Sequence, residues 1–241
     1  MLTKSEAIVL HAFKYGETRL IVDVFTRRDG RVSFIIALPK SAKGRMKKQL
    51  FQPFTLLAVE YDLRPKVQLQ KLTDARLLTP YVSIPFEPSK LSITLFLAEF
   101  LYYALRSEQR NEPLFDYISS SMEWLDGCHG RFANFHLVFL MRLSRFLGFY
   151  PNLSDYSTGD YFDLRGSVFC SMPPAHHDFL PPAEAARVRL MMRMRYETMH
   201  LFELSHHERN RCIEVMMTYY RLHLPDFPEL KSLAVLRELY Q

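Results

Sequence analysis

The sequence predicts an α+β protein: an N-terminal five-stranded β-barrel of the OB-fold type, followed by an all-α helical domain. Residues 1–80 alternate with a period of two and are rich in β-branched and aromatic residues, whereas later apolar residues recur every three or four positions. The change of period is marked by three prolines, Pro80, Pro85 and Pro88. We therefore expect an OB-fold domain at 1–80 and a helical domain at 81–241, with an irregular insertion at about 150–182.

Five segments of the first domain alternate as strands do. They span residues 7–13, 19–26, 31–38, 54–61 and about 67–77. In the turn after the second segment, Gly30 follows Arg27-Arg28-Asp29 and is free to adopt a positive φ. A sheet of only five short strands would expose unpaired backbone groups at both edges unless it closed into a barrel. We therefore expect short antiparallel strands in an OB-type barrel.

Six later segments have helical periodicity. They span about 89–106, 111–127, 132–146, 182–195, 205–224 and 230–240. The third is the clearest, because its phenylalanines recur at three- and four-residue steps and Gly148 follows its end. Ser205 and Glu208 form a capping-box pattern that opens the fifth. Within the insertion, only 161–164 and 167–170 resemble strands.

Positive charge is concentrated in the first domain. Residues 1–80 hold 15 Lys plus Arg against 7 Asp plus Glu, a balance of +8, whereas residues 81–241 hold 16 against 19, a balance of −3. This asymmetry favours a polyanionic partner for the first domain.

The candidate phosphate-binding residues lie in the turn after the second strand and in an acid-free segment at 39–48. They are Arg27, Arg28, Arg31, Lys40, Lys43, Arg45, Lys47 and Lys48. On the loops of a rigid barrel, such side chains are placed to follow a phosphate backbone. The alternative interpretation is an ordinary solvated surface. Phe13, Tyr15 and Phe34 offer faces for base stacking, although each also fits the barrel interior, which is the favoured interpretation for any one of them.

The sequence contains no GxSxG elbow, no GxxxxGK loop and no GxGxxG after a strand. Its three cysteines, Cys128, Cys170 and Cys212, are far apart, and the histidine pairs at 176–177 and 206–207 lack metal-ligand spacing. We therefore expect a non-enzymatic protein without a cofactor or metal. Two alternatives stay open: an RNA-binding OB module, and a metal-dependent enzyme.

The longest mainly apolar stretch, 91–105, contains Glu99 and is too short to span a bilayer. The N-terminus lacks a charged-then-apolar signal pattern. Reduced cysteines also fit a cytoplasmic location, and we expect a cytoplasmic protein associated with the nucleoid.

Two arginines flank the aromatic stripe of the third helix. Arg142 borders the stripe, and Arg145 lies further round the helix. One interpretation is a polar helix flank. The other is a basic-rimmed apolar pocket for an acidic peptide with a hydrophobic end.

Ordered motifs along the chain resemble the RecO family of bacterial DNA repair proteins. In the first domain they are Ala7-Ile8-Val9-Leu10, Tyr15-Gly16-Glu17-Thr18, the run at 25–31, the basic loop and Gln52-Pro53-Phe54. In the second they are the segments at 147–153, 223–225 and 230–236. The resemblance covers nearly the whole chain, and its specificity comes from the order of the motifs.

This resemblance implies a recombination mediator that acts in DNA damage repair. Such a protein binds single- and double-stranded DNA, anneals complementary strands, and works with RecR to load the recombinase RecA on strands coated by single-stranded DNA-binding protein. The resemblance also implies that the acidic C-terminal tail of that coating protein docks on the helical domain. Many members carry two CxxC pairs as a zinc site after the Gly-Phe-Tyr-Pro segment, whereas here Cys170 is the one cysteine in that region, which indicates a zinc-free variant.

Overall fold

The structure is a computed structural model that describes residues 2–37, 48–64, 66–154 and 156–238. Five strands form the barrel: β1 (Leu2–Tyr15), β2 (Arg19–Thr26), β3 (Gly30–Ala37), β4 (Leu56–Asp62) and β5 (Leu69–Thr79). Their order around the closed barrel is β1-β2-β3-β5-β4, and β4 pairs with β1. The predicted fold class is therefore confirmed. One detail differs, because β3 and β5 run parallel, so the pairing is not antiparallel throughout.

β1 closes the barrel because it pairs with two different neighbours. Its first half pairs with β4 from Leu2 to Ile8, and its second half pairs with β2 from Ala7 to Tyr15. A register shift between Val9 and His11 lies where the strand changes partner. Such irregularities bend a strand and increase its twist, which lets one strand serve both edges of the closure.

The barrel core is built from the residues that alternate inward. It consists of Ala7, Val9, Leu20, Val22, Val24, Val32, Phe34, Ile36, Phe51, Leu57, Val59, Tyr61, Leu72 and Ala75. Phe34 is fully buried and packs edge-on against Tyr61, with their ring centroids 5.1 Å apart. Phe34 is therefore a core residue and has no face for a base.

The remaining chain contains six helices and a small sheet among the described residues. The helices are α1 (Pro88–Ala104), α2 (Glu112–Gly127), α3 (Phe135–Phe146), α4 (Pro182–Arg193), α5 (His206–His223) and α6 (Ser232–Glu238). The sheet contains β6 (Tyr161–Asp163), β7 (Val168–Cys170) and β8 (Phe179–Leu180), with β6 in the centre. The capping box is present, since Ser205 Oγ accepts from the Glu208 amide and the Glu208 carboxylate accepts from the Ser205 amide.

The chain forms two compact units. The first comprises Met1–Gly127 with Leu230–Leu239, and the second comprises Cys128–Glu229. The sequence predicts a domain boundary at residue 80, where the hydrophobic period changes. In the structure, α1, α2 and α6 belong to the same compact unit as the barrel. In the part of the chain that the structure describes, no helix is both long and apolar enough to cross a membrane.

Candidate nucleic-acid interface

The turn between β2 and β3 is held by its own side chains. Thr26 Oγ1 donates to the Gly30 carbonyl and accepts from the Asp29 amide, both at 3.0 Å. From inside the barrel, the Tyr61 hydroxyl donates to the Asp29 carboxylate. Burial, followed by the hydrogen bond to Asp29, raises the pKa of Tyr61 far above its usual value, so the hydroxyl keeps its proton. The turn is consequently fixed relative to the barrel wall.

Arg27 and Arg28 follow each other in this turn but have different surroundings. Arg27 donates to Glu6 at 2.7 Å, forms an ion pair with Asp116 at 2.6 Å, and lies over the Phe115 ring at 4.6 Å. Arg28 is exposed, and among the described residues it has no ion-pair partner. Arg28 is therefore the residue whose charge remains available to a ligand.

Arg31 is built into the interior of the first unit. Its side chain is only 11% exposed; it pairs with Asp23 at 3.1 Å and donates to the Tyr102 carbonyl at 3.0 Å. Its guanidinium lies 4.7 Å from the centre of the Tyr102 ring, and its backbone amide donates to the Glu108 carbonyl. These contacts are those of a structural residue that joins the barrel to α1.

The basic segment falls mostly outside the described residues. Lys40, Lys43, Arg45 and Lys47 lie outside the described residues. Lys48 is exposed and begins a short 3₁₀-helix, Lys48–Phe51. The strand that leads into this segment, β3, ends at Ala37.

One part of the outer barrel surface is open and carries both aromatic rings and cations. Tyr15 of β1 pairs with Arg19 of β2, and Phe13 of β1 pairs with Ile21 of β2. Ile21 pairs with Ile35 of β3, and Ile35 pairs with Lys71 of β5, so this row of residues lies on one face of the barrel wall. Four residues define this open outer face: Phe13, Tyr15, Arg19 and Lys71. Phe13 is 41% exposed and Tyr15 is 53% exposed, and both cations are exposed as well.

The sequence interpretation missed Arg19 and Lys71 as members of this face. Each stands alone in the sequence, so no local run of charge marks it. The signal that identifies them is the strand register, which brings β1, β2, β3 and β5 side by side.

In the second unit, both predicted arginines of α3 stack on tyrosines. The Arg142 guanidinium lies 5.4 Å from the Tyr196 ring centre, and that of Arg145 lies 5.5 Å from the Tyr150 ring centre. Cation–π contacts of this kind hold a guanidinium plane in place while its edge stays accessible. The peptide pocket itself stays a prediction.

The described residues contain no group of three or more His, Cys, Asp or Glu side chains placed to hold a metal ion. Cys170 lies in β7 with its Sγ 3.9 Å from the Tyr161 carbonyl, and burial, with nearby Asp163 and Asp160, raises the pKa of its thiol. A four-cysteine zinc site needs four thiolates, and Cys170 is the one cysteine between residues 150 and 182. The residues present here therefore do not fit the four-cysteine zinc site.

Fold and surface together define the class of protein: an OB-type barrel with an exposed aromatic and basic face, followed by helices. Two family models match the chain, Recombination protein O N terminal over residues 1–81 and Recombination protein O C terminal over residues 85–234. The chain is 53% identical to the DNA repair protein RecO of Phocaeicola vulgatus over 240 residues and 53% identical to that of Bacteroides fragilis over 241. It is 32% identical to that of Flavobacterium psychrophilum over 242 residues, and in all three cases both chains are covered in full. The chain belongs to the RecO family of DNA repair proteins.

Proposed function

We propose that this protein is a non-catalytic recombination mediator whose barrel binds DNA. The observation that carries the proposal is the open outer face, where exposed Phe13 and Tyr15 lie in a surface with exposed Arg19 and Lys71. Proteins that bind nucleic acid without sequence preference combine aromatic platforms for bases with cations for phosphates. The open outer face contains both kinds of group.

Phosphate contacts are expected to supply most of the affinity. The candidate cations are Arg28, which is exposed, and the segment that contains Lys40, Lys43, Arg45, Lys47 and Lys48. The engaged side chains of Arg27 and Arg31 are assigned instead to holding the turn in position. Because phosphates carry no sequence information, the barrel binds single and double strands with little base preference.

Binding of both DNA forms is the basis of the finer activities that we propose. A protein that neutralises phosphates lowers the repulsion between two complementary strands, which favours annealing. On the family resemblance, we further propose that it cooperates with RecR to load recombinase on coated strands. The acidic tail of single-stranded DNA-binding protein is assigned to the surface near Arg142 and Arg145.

Titration of a labelled single strand with the full chain at several salt concentrations tests DNA binding. We expect the logarithm of the association constant to fall linearly as the logarithm of salt concentration rises. Competition by RNA of the same sequence separates a DNA-binding protein from an RNA-binding one. Binding without salt dependence, or preferential displacement by RNA, would contradict the proposal.

The proposed tail site has a separate test. A short acidic peptide with a hydrophobic C-terminal residue is titrated against wild-type protein and Arg142→Ala. Loss of a charge-assisted contact is expected to weaken binding about tenfold. Arg165→Ala is the matched control, since Arg165 is exposed in the same unit and pairs with Asp178. Equal affinity of wild type and Arg142→Ala would remove this assignment.

A further inference from the structure

A row of aromatic rings starts on the open outer face and continues onto α1. Along β1 it contains Tyr15, Phe13 and His11, and on α1 it contains Tyr102 and Tyr103. The ring centroids are 5.5 Å apart between His11 and Phe13, 4.7 Å between His11 and Tyr102, and 4.8 Å between Tyr102 and Tyr103. We call these five residues the aromatic row.

The row lies at the surface, because each of its members retains exposed area. Phe13 and Tyr15 are about half exposed, the His11 side chain is 45% exposed, and Tyr102 and Tyr103 are partly exposed. At its far end, the exposed Arg106 lies with its guanidinium 4.9 Å from the centre of the Tyr103 ring. Contiguous exposed rings of this kind indicate an interaction surface.

The two parts of the row are fixed relative to each other. Arg31 of β3 donates to the Tyr102 carbonyl and also lies over the Tyr102 ring, so the end of α1 is attached to the barrel at this point. His11 packs between Phe13 and Tyr102. A surface that is rigid before binding loses little conformational entropy when a ligand arrives.

The chemistry of the row matches unpaired bases. Base–aromatic stacking contributes about 1–3 kcal/mol per base and tolerates any sequence, because every base has a π-face. The bases of a duplex are stacked on one another, so a duplex reaches this surface only with its phosphates. The guanidinium of Arg106, at the far end of the aromatic row, is suited to bind a phosphate of the same strand.

We propose that the aromatic row is a stacking track for single-stranded DNA that runs from the open outer face of the barrel to the end of α1 at Arg106. The inference rests on the proposed DNA binding and adds a determinant that distinguishes a single strand from a duplex. It predicts that α1 extends the single-strand site beyond the barrel, whereas the duplex depends on the basic side chains alone.

The test uses residues at the α1 end of the row, away from the barrel face. Tyr103→Leu and Arg106→Gln are compared with wild type for binding to a single strand and to a duplex that contains the same sequence. Tyr103→Leu is expected to weaken single-strand binding about tenfold, as befits the loss of one stacked base, and to leave duplex binding within twofold. Arg106→Gln weakens single-strand binding by a smaller factor.

Two control variants match the two test variants. Phe86→Leu changes an aromatic residue that is 80% exposed but lies off the row, and Arg110→Gln removes an exposed arginine that pairs with Glu112. Both are expected to bind single strands as wild type does. Quenching of 2-aminopurine placed along the strand reports stacking directly, and it should fall in Tyr103→Leu. Thermal unfolding checks that each variant is folded, and the exposed Arg106→Gln carries the test if Tyr103→Leu is unstable.

Each outcome has one consequence. If wild type binds DNA and both test variants bind single strands as it does, the track is wrong while the proposed function stands. Equal losses for single strand and duplex also overturn the track, because they indicate a phosphate contact alone. If wild type binds no DNA, both the proposed function and the track are overturned.

Discussion

Gly30 and Gln109 lie so close that only a glycine fits at position 30. A Cβ added to Gly30 would stand 2.4 Å from the Gln109 carbonyl carbon and 2.6 Å from its oxygen. Gly30 also has a φ of +70°, which side-chain-bearing residues rarely adopt. The turn that presents Arg28 is thus pressed against the connection between α1 and α2.

Gly30→Ala is therefore expected to destabilise the protein more than its backbone conformation alone requires. A positive φ costs an alanine about 1–2 kcal/mol, and the contact with Gln109 adds to that cost. Gly16→Ala is the control, since Gly16 has a φ of +66° but no atom within 4 Å of an added Cβ. Chemical denaturation measures both variants. Equal losses of unfolding free energy would show that the Gln109 contact is unimportant.

Arg31 and Arg28 should respond differently to substitution. Arg31→Met leaves Asp23 buried without its cation, so we expect a loss of about 3 kcal/mol in the free energy of unfolding. Arg28→Gln should change that free energy by less than about 0.5 kcal/mol and instead weaken DNA binding. Denaturation and DNA titration of both variants separate the roles. A stable Arg31→Met protein with weakened DNA binding would return Arg31 to the ligand-binding set.

Asp126 anchors the segment that leads from the barrel into α1. Its carboxylate accepts the amides of Val82, Ser83 and Ile84, each at 2.8 Å. Burial by itself raises the pKa of Asp126, but these hydrogen bonds outweigh it and hold the pKa below its usual range. Its contribution is therefore present at neutral pH and lost as pH falls through the lowered pKa.

Asp126→Asn is expected to cost about 2 kcal/mol at neutral pH, because an amide replaces one of the two accepting oxygens by a donor. Glu123→Gln, an exposed change on the same helix, should have little effect. Denaturation at neutral pH and at about pH 3, below the ordinary aspartate pKa, should show the difference between Asp126→Asn and wild type shrinking in acid. A difference that stays constant between the two would contradict the role of the charge.

His136 makes stability sensitive to mild acid. Burial, with a smaller effect of Arg209, lowers its pKa to about 3 in the folded protein. The unfolded chain binds a proton below about pH 6.5 while the folded protein does not, so stability falls with decreasing pH. The expected loss is about 2 kcal/mol between pH 7 and pH 5.

His136→Leu removes this titration. Denaturation of both proteins at pH 7 and pH 5 should show that the variant lacks about 2 kcal/mol of the wild-type pH dependence, whatever its absolute stability. The same pH dependence in wild type and variant would show that other groups cause it.

Much of the fold follows from local sequence pattern. The predicted and observed bounds of β2 are both 19–26, and the helix of residues 112–127 was predicted at 111–127. These elements are set by their own periodicity and turn residues. The first five residues of β1 escaped prediction because Lys4, Ser5 and Glu6 look polar, although all three pair with β4. The two-residue strand β8 exists only through its pairing with β6.

The candidate site was harder to predict, because charge in a sequence does not reveal its partners. Arg27, Arg28 and Arg31 look alike in a basic turn, yet Arg31 contacts the carbonyl of a residue 71 positions away. The aromatic row was equally hard to predict from the sequence, because the contact between His11 and Tyr102 depends on the packing of α1 against β1. Sequence periodicity indicates which residues share a strand face, but it does not indicate what covers that face.

The central claim is that cations of the barrel bind DNA phosphates. A variant in which Lys43, Arg45, Lys47 and Lys48 are all changed to Gln is compared with wild type for single-strand binding across a salt series. The matched control neutralises four other cations of the barrel unit, each paired with an acid: Lys4, Arg64, Arg76 and Arg110. Both variants lose the same formal charge, so they separate contact with phosphate from net charge.

The decisive measurement is the slope of log affinity against log salt for these proteins. With about 0.7 counterions released per single-strand phosphate contact, loss of four contacts should reduce the slope by about 3 and weaken binding at low salt. The paired-cation control should keep most of the wild-type slope. An unchanged slope in the Lys43, Arg45, Lys47, Lys48 variant, or an equal reduction in the control, would contradict DNA binding through this basic segment.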